Sequence, residues 1–462
     1  MTEQNPSPSS RPPIVLRWSV LAAISIAMFG NYYIYDSIAP VAPLLTEQLG
    51  FTDSMIGSLN AIYSLSSILL LFLAGPLIDR FGTRNTTVVF TALCVVGAVV
   101  TALSGDHQVM LAGRFIFGLG AESMIVAITT ALAKWFRGKE LGLAFGVNLM
   151  VARAGAAAAQ SSTGWFESLY DDWQKPLFMA AIVGISSLIA AAVYWVLEKQ
   201  AEEEYALGAA GETDRLVWSD LLKFSRSYWF IVGLCATFYS AIFPFQTFGV
   251  KFLSDNYDLP LSEAGPMLSV ISFSAIFATP VFGFLADWMG RRSHLMVIGS
   301  VLIMPVYLMM AHTGLSPYIP IAMMGVAYSL IPAVMWPSVA YVVDERRLGT
   351  AYALMTLLQQ AGVAGLNLAV GAANDYGQAG AANPGGYQYG MWLFSLLGFV
   401  GLFFALQLNR AEAGPGGHGL DTITVKSADE KVDAAGAAVA GQLVEEPESS
   451  AENAEEKGDD RS

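Results

Sequence analysis

Long apolar runs alternate with short polar interruptions along most of the chain, and the runs have the length of membrane-crossing helices. They fall at about 18–39, 55–78, 87–104, 109–133, 141–165 and 176–197, then at about 227–250, 264–286, 294–312, 317–342, 348–373 and 388–409. Each can cross a hydrocarbon core of ~30 Å at 1.5 Å of rise per residue, so the pattern predicts twelve transmembrane helices. Polar stretches bound the series. The first run is too long and too rich in Tyr and Asn for a cleaved signal, which leaves residues 1–17 as a disordered amino terminus. The stretch 198–226, with Glu202, Glu203 and Glu204, reads as a solvated connector, and 411–462 as a disordered acidic tail unable to bury enough apolar area to fold. Two six-helix units, 18–197 and 227–410, remain.

The two units echo each other. Gly75, Asp79, Arg80, Gly82 and Arg84 follow the second run, and Gly283, Asp287, Gly290, Arg291 and Arg292 follow the eighth, at an offset of 208 residues between the aspartates. Leu141, Gly142, Ala144 and Phe145 open the fifth run as Leu348, Gly349, Ala351 and Tyr352 open the eleventh. Two matches at nearly one offset, each at the corresponding run of its unit, indicate an internal repeat.

Composition agrees with a membrane protein, since charged residues make up 13% of the chain against a usual quarter. The net charge of −14 is weighted by the acidic tail and says little about the embedded body. Lys and Arg give the orientation. With the amino terminus inside, the inner ends and loops hold Arg11, Arg17, Arg80, Arg84, Lys134, Arg137, Lys139, Lys199, Arg215, Lys223, Arg226, Arg291, Arg292, Arg346, Arg347 and Arg410, and the outer loops only Lys175 and Lys251. Both termini are therefore expected in the cytoplasm. Cys94 and Cys235 lie inside predicted helices, and His107, His294, His312 and His418 show no ligand spacing, so neither a metal centre nor another cofactor is expected. No zinc-protease motif, nucleophile elbow or phosphate loop points to an enzyme. Nothing suggests a nucleic-acid partner; the expected partners are the bilayer and a small solute.

The candidate chemistry stands out because it is expensive. Glu122 and Arg153 sit near the middle of the fourth and fifth runs, where insertion of a charge costs roughly 2.5–3.5 kcal/mol. Paired with each other they would be a structural bridge. Held apart they form a dipolar receptor for a zwitterion, Glu122 for an ammonium and Arg153, with its planar fork, for a carboxylate. At an offset of about 207 their counterparts are the neutral Ser329 and Gln360, so the charges are not demanded by the fold. Tyr35, Gln246, Trp336 and Gln360 are the other candidate ligand contacts, each a polar side chain inside an apolar run that should face a cavity or a neighbouring helix. Asp36 in the first run and Arg114 in the fourth are expected at similar height, as a charge pair that is structural or proton-carrying.

The two Gly-x-x-x-Asp loops resemble the signature of the major facilitator superfamily, with Thr83 and Trp288 where basic residues are usual. That resemblance implies an all-α fold of two pseudo-symmetric six-helix bundles with a substrate path between them and alternating access by rocking. It also gives Asp79, Arg80, Arg84, Asp287, Arg291 and Arg292 a gating role as a cytoplasmic latch. A narrower resemblance rests on Gly113 to Ser123, Lys134 to Leu141, Ala152 to Gly155, Tyr35 with Asp36, Ile331 to Ala340 and Leu348 to Tyr352. These stretches look like the major facilitator superfamily domain-containing protein 1 family, whose eukaryotic members are lysosomal dipeptide uniporters with a glycoprotein accessory subunit. The resemblance implies that Glu122 binds the peptide amino terminus and Arg153 its carboxylate. Short outer loops and an Ala/Gly-rich composition suggest a bacterial plasma or inner membrane carrier without that subunit. The alternative is a proton-coupled transporter of organic anions such as monocarboxylates, with Arg153 on the substrate and Glu122 on the proton.

Overall fold

The computed structural model of the chain describes residues 12–136, 140–205, 207, 223–344 and 347–422. Its first half contains α1 (Ile14–Asp36), α2 (Ile38–Leu49), α3 (Asp53–Phe81), α4 (Thr83–Leu103), α5 (His107–Phe136), α6 (Leu141–Trp165) and α7 (Gln174–Glu204). The second half contains α8 (Arg226–Tyr257), α9 (Leu261–Met289), α10 (Arg292–Ile303), α11 (Val306–His312), α12 (Tyr318–Val342), α13 (Leu348–Tyr376) and α14 (Gln388–Glu412). Eleven spans are long and apolar enough to cross a membrane, with α1–α2 and α10–α11 each counted as one, and the bent α3 makes the twelfth.

The helices outrun the apolar runs because polar residues cap them outside the apolar stretch. Thr52 accepts a hydrogen bond from the Met55 N–H at the start of α3, and Ser225 accepts from Tyr228 at the start of α8. Two spans are interrupted where proline removes a backbone donor, at Ser37 just before Pro40 and Pro43, and at Met304–Pro305. Both repeated loops turn on a glycine of positive φ, Gly82 (φ 79°, ψ 159°) and Gly290 (φ 66°, ψ 4°), which differ in ψ but each cost a glycine little.

Each half has its own apolar core, built in the first around Leu21, Ile24, Phe117, Met124 and Ala152. The core of the second half reaches across to Ile38, Val41, Leu45, Ile56 and Leu59 of α2 and α3. The halves thus share packing at the face opposite to the one where α1 begins, called here the far face. A Cβ on Gly265 would lie 2.4 Å from the Gln160 carbonyl oxygen, and one on Gly371 2.5 Å from that of Asp53, so α9 meets α6 and α13 meets α3 backbone to backbone. At the other end of the α6–α9 pair, Gly142, Gly146 and Gly283 meet open space.

A polar lock joins the halves at the far face. Lys251 Nζ donates to Asp53 Oδ1 at 2.5 Å with both side chains at least 95% buried, and Asn374 Nδ2 donates to Asp53 Oδ2 at 2.8 Å. Asp375 accepts the backbone N–H groups of Asp53 and Ser54 at 2.8 and 2.9 Å, so a carboxylate of one half sits on the amino end of a helix of the other. Ser161 and Ser269 add a hydroxyl contact at 2.8 Å between α6 and α9.

The expected boundaries need three corrections. Helix α1 is already formed at Ile14, inside the stretch expected to be disordered. The connector expected from residue 198 starts later, because Glu198 is fully buried in α7. Its carboxylate accepts from Thr83 Oγ1 at 2.6 Å, Lys134 Nζ at 2.9 Å, Trp135 Nε1 at 3.0 Å and the Tyr194 hydroxyl. The tail expected from residue 411 stays docked through Thr422: Glu412 accepts from Ser227 at 2.6 Å, Leu420 is fully buried, and Asp421 accepts the Ser293 N–H at 2.9 Å. Residues 1–11, 206, 208–222 and 423–462 of these expected regions lie outside the described residues.

Removing one partner of a buried ion pair typically costs about 3–5 kcal/mol, because the other charge is left uncovered. Asp53→Ala is therefore expected to destabilise the closed far face. A cysteine placed at Ser269, 1% exposed in the α6–α9 contact, should react with a maleimide faster in the Asp53→Ala background than with the lock intact. Equal rates would mean that the lock does not hold the face shut.

Candidate functional site

One cavity lies between the halves and brings together Asn31, Tyr32, Tyr35 and Asp36 of α1, Tyr63 of α3, Glu122 and Ile125 of α5, and Arg153 and Ala156 of α6. The second half contributes Phe243 and Gln246 of α8, Ser272 of α9, Tyr328 of α12 and Gln360 of α13. The small residues that follow Arg153, Gly155 to Ala159, keep α6 thin on that side.

Glu122 and Arg153 both face this cavity, and they are not bound to each other. Glu122 Oε1 accepts from the Tyr63 hydroxyl at 3.1 Å and from Gln360 Nε2 at 2.7 Å. Arg153 donates through Nη1 to the Tyr328 hydroxyl, and its guanidinium lies 4.7 Å from the Tyr328 ring centroid and 5.7 Å from that of Tyr32. Cation–π contact covers part of the positive charge without neutralising it. The cavity therefore presents the Glu122 carboxylate and the Arg153 guanidinium at separate points, each hydrogen-bonded to neutral partners, with Asp36 as a second carboxylate in the lining. An arrangement of this kind can receive one group of each sign.

Of the remaining candidate contacts, Tyr35, Gln246 and Gln360 line the cavity. Trp336 is outside its lining: the indole Nε1 donates to the Tyr239 hydroxyl at 3.0 Å and the ring stacks on Tyr352 at 6.0 Å. Tyr328, Phe243 and Ser272 were not singled out in the sequence. The repeat offers one signal, since Ser329, the counterpart of Glu122, is adjacent to Tyr328.

The expected Asp36–Arg114 pair does not form. Arg114, 1% exposed, donates to the Ile34 carbonyl at 3.2 Å, to Tyr35 at 3.4 Å, to Leu59 at 3.5 Å and to Asn60 Oδ1 at 2.5 Å. The break at Ser37 leaves carbonyls at the carboxyl end of α1 short of helical partners, and a cation suits that end of the helix dipole. Rings of Phe117, Tyr63 and Tyr35 surround the guanidinium at 4.9, 5.5 and 5.7 Å. Asp36 turns instead toward α6 and accepts from Gln160 Nε2 at 3.2 Å, while Gln160 Oε1 accepts from Ser272 at 3.4 Å.

Among the described contacts, those of the repeated loops fall within their own halves. Arg84 pairs with Glu202 at 2.5 Å and lies over Trp195, while Arg80 lies over Phe81. Arg292 pairs with Asp287 at 2.6 Å and lies 4.6 Å from the Tyr341 ring. Asp79 and Arg291 are exposed at the amino-terminal face.

The family profile described as Major Facilitator Superfamily matches residues 24–366. The chain is 34% identical over 374 residues to the lysosomal dipeptide transporter MFSD1 of Danio rerio, covering 77% of this chain and 80% of that protein. It is 33% identical over 370 residues to the lysosomal dipeptide transporter MFSD1 of Homo sapiens, covering 77% and 79%. Among solved structures it resembles a mutant of the nucleoside transporter NupG, with a TM-score of 0.69 at 12% identity over 84% of this chain and 99% of that one. A bacterial homolog of the human lysosomal transporter Spinster, inward-facing and unoccupied, gives a TM-score of 0.67 at 16% identity over 86% and 98%. These two likenesses concern the fold.

Truncating Arg114 would strand three carbonyls and the Asn60 side chain, and a buried polar group left unpaired costs about 1–3 kcal/mol. Arg114→Met is expected to lower the melting temperature of the purified protein strongly, whereas Asp36→Asn should lower it much less. Comparable losses for both variants would indicate that the two residues act as a pair after all.

Proposed function

The chain belongs to the Major Facilitator Superfamily and, within it, to the family of the MFSD1 transporters, and from that premise we propose that it carries dipeptides by alternating access. It is a multi-pass membrane transporter and not an enzyme. The observation that carries the dipeptide reading is the separation of Glu122 and Arg153 across one cavity, each facing the cavity and neither neutralised by the other. In this reading Glu122 takes the peptide ammonium and Arg153 the peptide carboxylate, a charge-assisted bond at each end. Tyr35 and Gln246 line the same cavity, and in this reading they meet the peptide backbone. The names of the relatives support the same substrate class.

The excess of Lys and Arg at the amino-terminal face supports a cytoplasmic side there, and in this reading the carrier sits in a plasma or inner membrane. The locked far face is then the outer gate, closed, with the cavity turned inward. Transport requires the Asp53–Lys251–Asp375 lock to open while the cytoplasmic ends close, and the charges of the two repeated loops are the candidates for holding that opposite closure. The two bundles move as units, about 14–204 and 226–412, with no obligate accessory subunit.

Ligand binding stabilises the native state by RT ln(1 + [L]/Kd), about 2.7 kcal/mol at a hundredfold excess over Kd. Purified protein should therefore melt higher with millimolar alanyl-alanine than with alanine or lactate, and Glu122→Gln and Arg153→Ala should each abolish the shift. A shift with lactate and none with the dipeptide would favour the organic anion reading, with Glu122 as proton carrier.

A further inference from the structure

The two anchors are each bonded by a group of the opposite half that also lines the cavity, and these covering groups form a repeated pair. Glu122 of α5 takes Gln360 of α13 at 2.7 Å, and Arg153 of α6 takes Tyr328 of α12. Gln360 is the repeat counterpart of Arg153, at an offset of 207, and Tyr328 adjoins Ser329, the counterpart of Glu122 at the same offset. Each bridge is therefore close to the pseudo-symmetric image of the other, with the charge always in the first half and the neutral group always in the second. Gln360 offers Glu122 an amide N–H where a peptide ammonium would sit. Tyr328 offers Arg153 an oxygen where a peptide carboxylate would sit.

We propose that Gln360 and Tyr328 are built-in stand-ins for the substrate that let the empty carrier change faces. The proposal rests on the assignment of Glu122 and Arg153 as the two anchors. An uncovered charge tolerates an open cavity, where water can solvate it, but not the closed passage between the two open states, where water is excluded. The substrate supplies the cover on the loaded passage, and Gln360 and Tyr328 supply it on the empty one. Binding then amounts to exchange of partners: the ammonium takes the place of the Gln360 amide on Glu122, and the carboxylate takes the place of the Tyr328 hydroxyl on Arg153. Net transport needs the empty return step, whereas exchange of substrate for substrate does not.

The test uses the full chain in liposomes and as single molecules, with Gln360→Leu and Tyr328→Phe, which keep volume and remove the covering group. Net efflux of radiolabelled alanyl-alanine into substrate-free buffer is compared with its exchange against unlabelled alanyl-alanine outside. The ratio of net flux to exchange should fall at least about tenfold in each variant, the effect of about 1.4 kcal/mol on the empty barrier. A readout without substrate accompanies it: fluorescence energy transfer between labels at Lys199→Cys and Arg410→Cys, exposed near the carboxyl ends of α7 and α14 on the amino-terminal face, while Cys94 and Cys235 are buried. Interconversion of the empty protein should slow by a similar factor in both variants. Net flux and exchange falling together, with empty interconversion unchanged, would overturn the proposal and leave the two residues as ordinary substrate contacts. Slowed interconversion in a protein that carries no alanyl-alanine would instead overturn the dipeptide assignment and support the covering role.

Discussion

A charge placed among apolar helices has to be covered by hydrogen-bond partners, and most of the polar architecture of this protein follows from that requirement. Arg114 and Glu198 show the requirement met in full. One is surrounded by carbonyl oxygens and aromatic faces, the other by four donors from α4, α5 and α7, and both are sealed from solvent. Glu122 and Arg153 show it met by groups that themselves line the cavity, Tyr63 and Gln360 on one and Tyr328 on the other. The distinction between structural and functional charge here is a matter of how completely the surroundings close.

The same requirement divides labour between the halves. Duplication preserved the backbone device of a positive-φ glycine, so Gly82 and Gly290 both turn the chain in loops 208 residues apart, though with different ψ. It did not preserve charge in the cavity. The first half holds Asp36, Glu122 and Arg153, while the second meets them with Gln246, Ser272, Tyr328 and Gln360. Contacts around the cavity are thus hydrogen bonds between neutral groups and charges, which solvent or a ligand can replace at modest cost. At the far face the contact is an ion pair with a capped helix end, buried and far harder to exchange in place.

Where sequence reading succeeded and failed follows the reach of each signal. Span length and apolar continuity are local, so the twelve spans and the repeat were visible, and the cost of burying a charge made Glu122 and Arg153 conspicuous without any partner being known. Depth along a helix was legible too, but azimuth was not. Asp36 and Arg114 were matched by height, yet Asp36 points to α6 and Arg114 to the carbonyls exposed by the break at Ser37. Trp336 sits inside its span as expected but turns toward Tyr239 and Tyr352. Glu198 looked solvated because Lys134 and Trp135, which bury it, belong to another helix more than sixty residues earlier in the chain.

The sequence by itself determined a twelve-span, twice-repeated membrane protein with two costly charges at mid-depth, because hydrophobic length, periodic motifs and the price of a buried charge are properties of short stretches of chain. Tertiary structure alone decided that those charges stand apart and each reach to the opposite half, and that Asp53, Lys251 and Asp375 close one face between the halves. Those facts depend on which sides of separate helices face one another. Packing across the interface between the halves sets that rotation, and no stretch of a single helix encodes it.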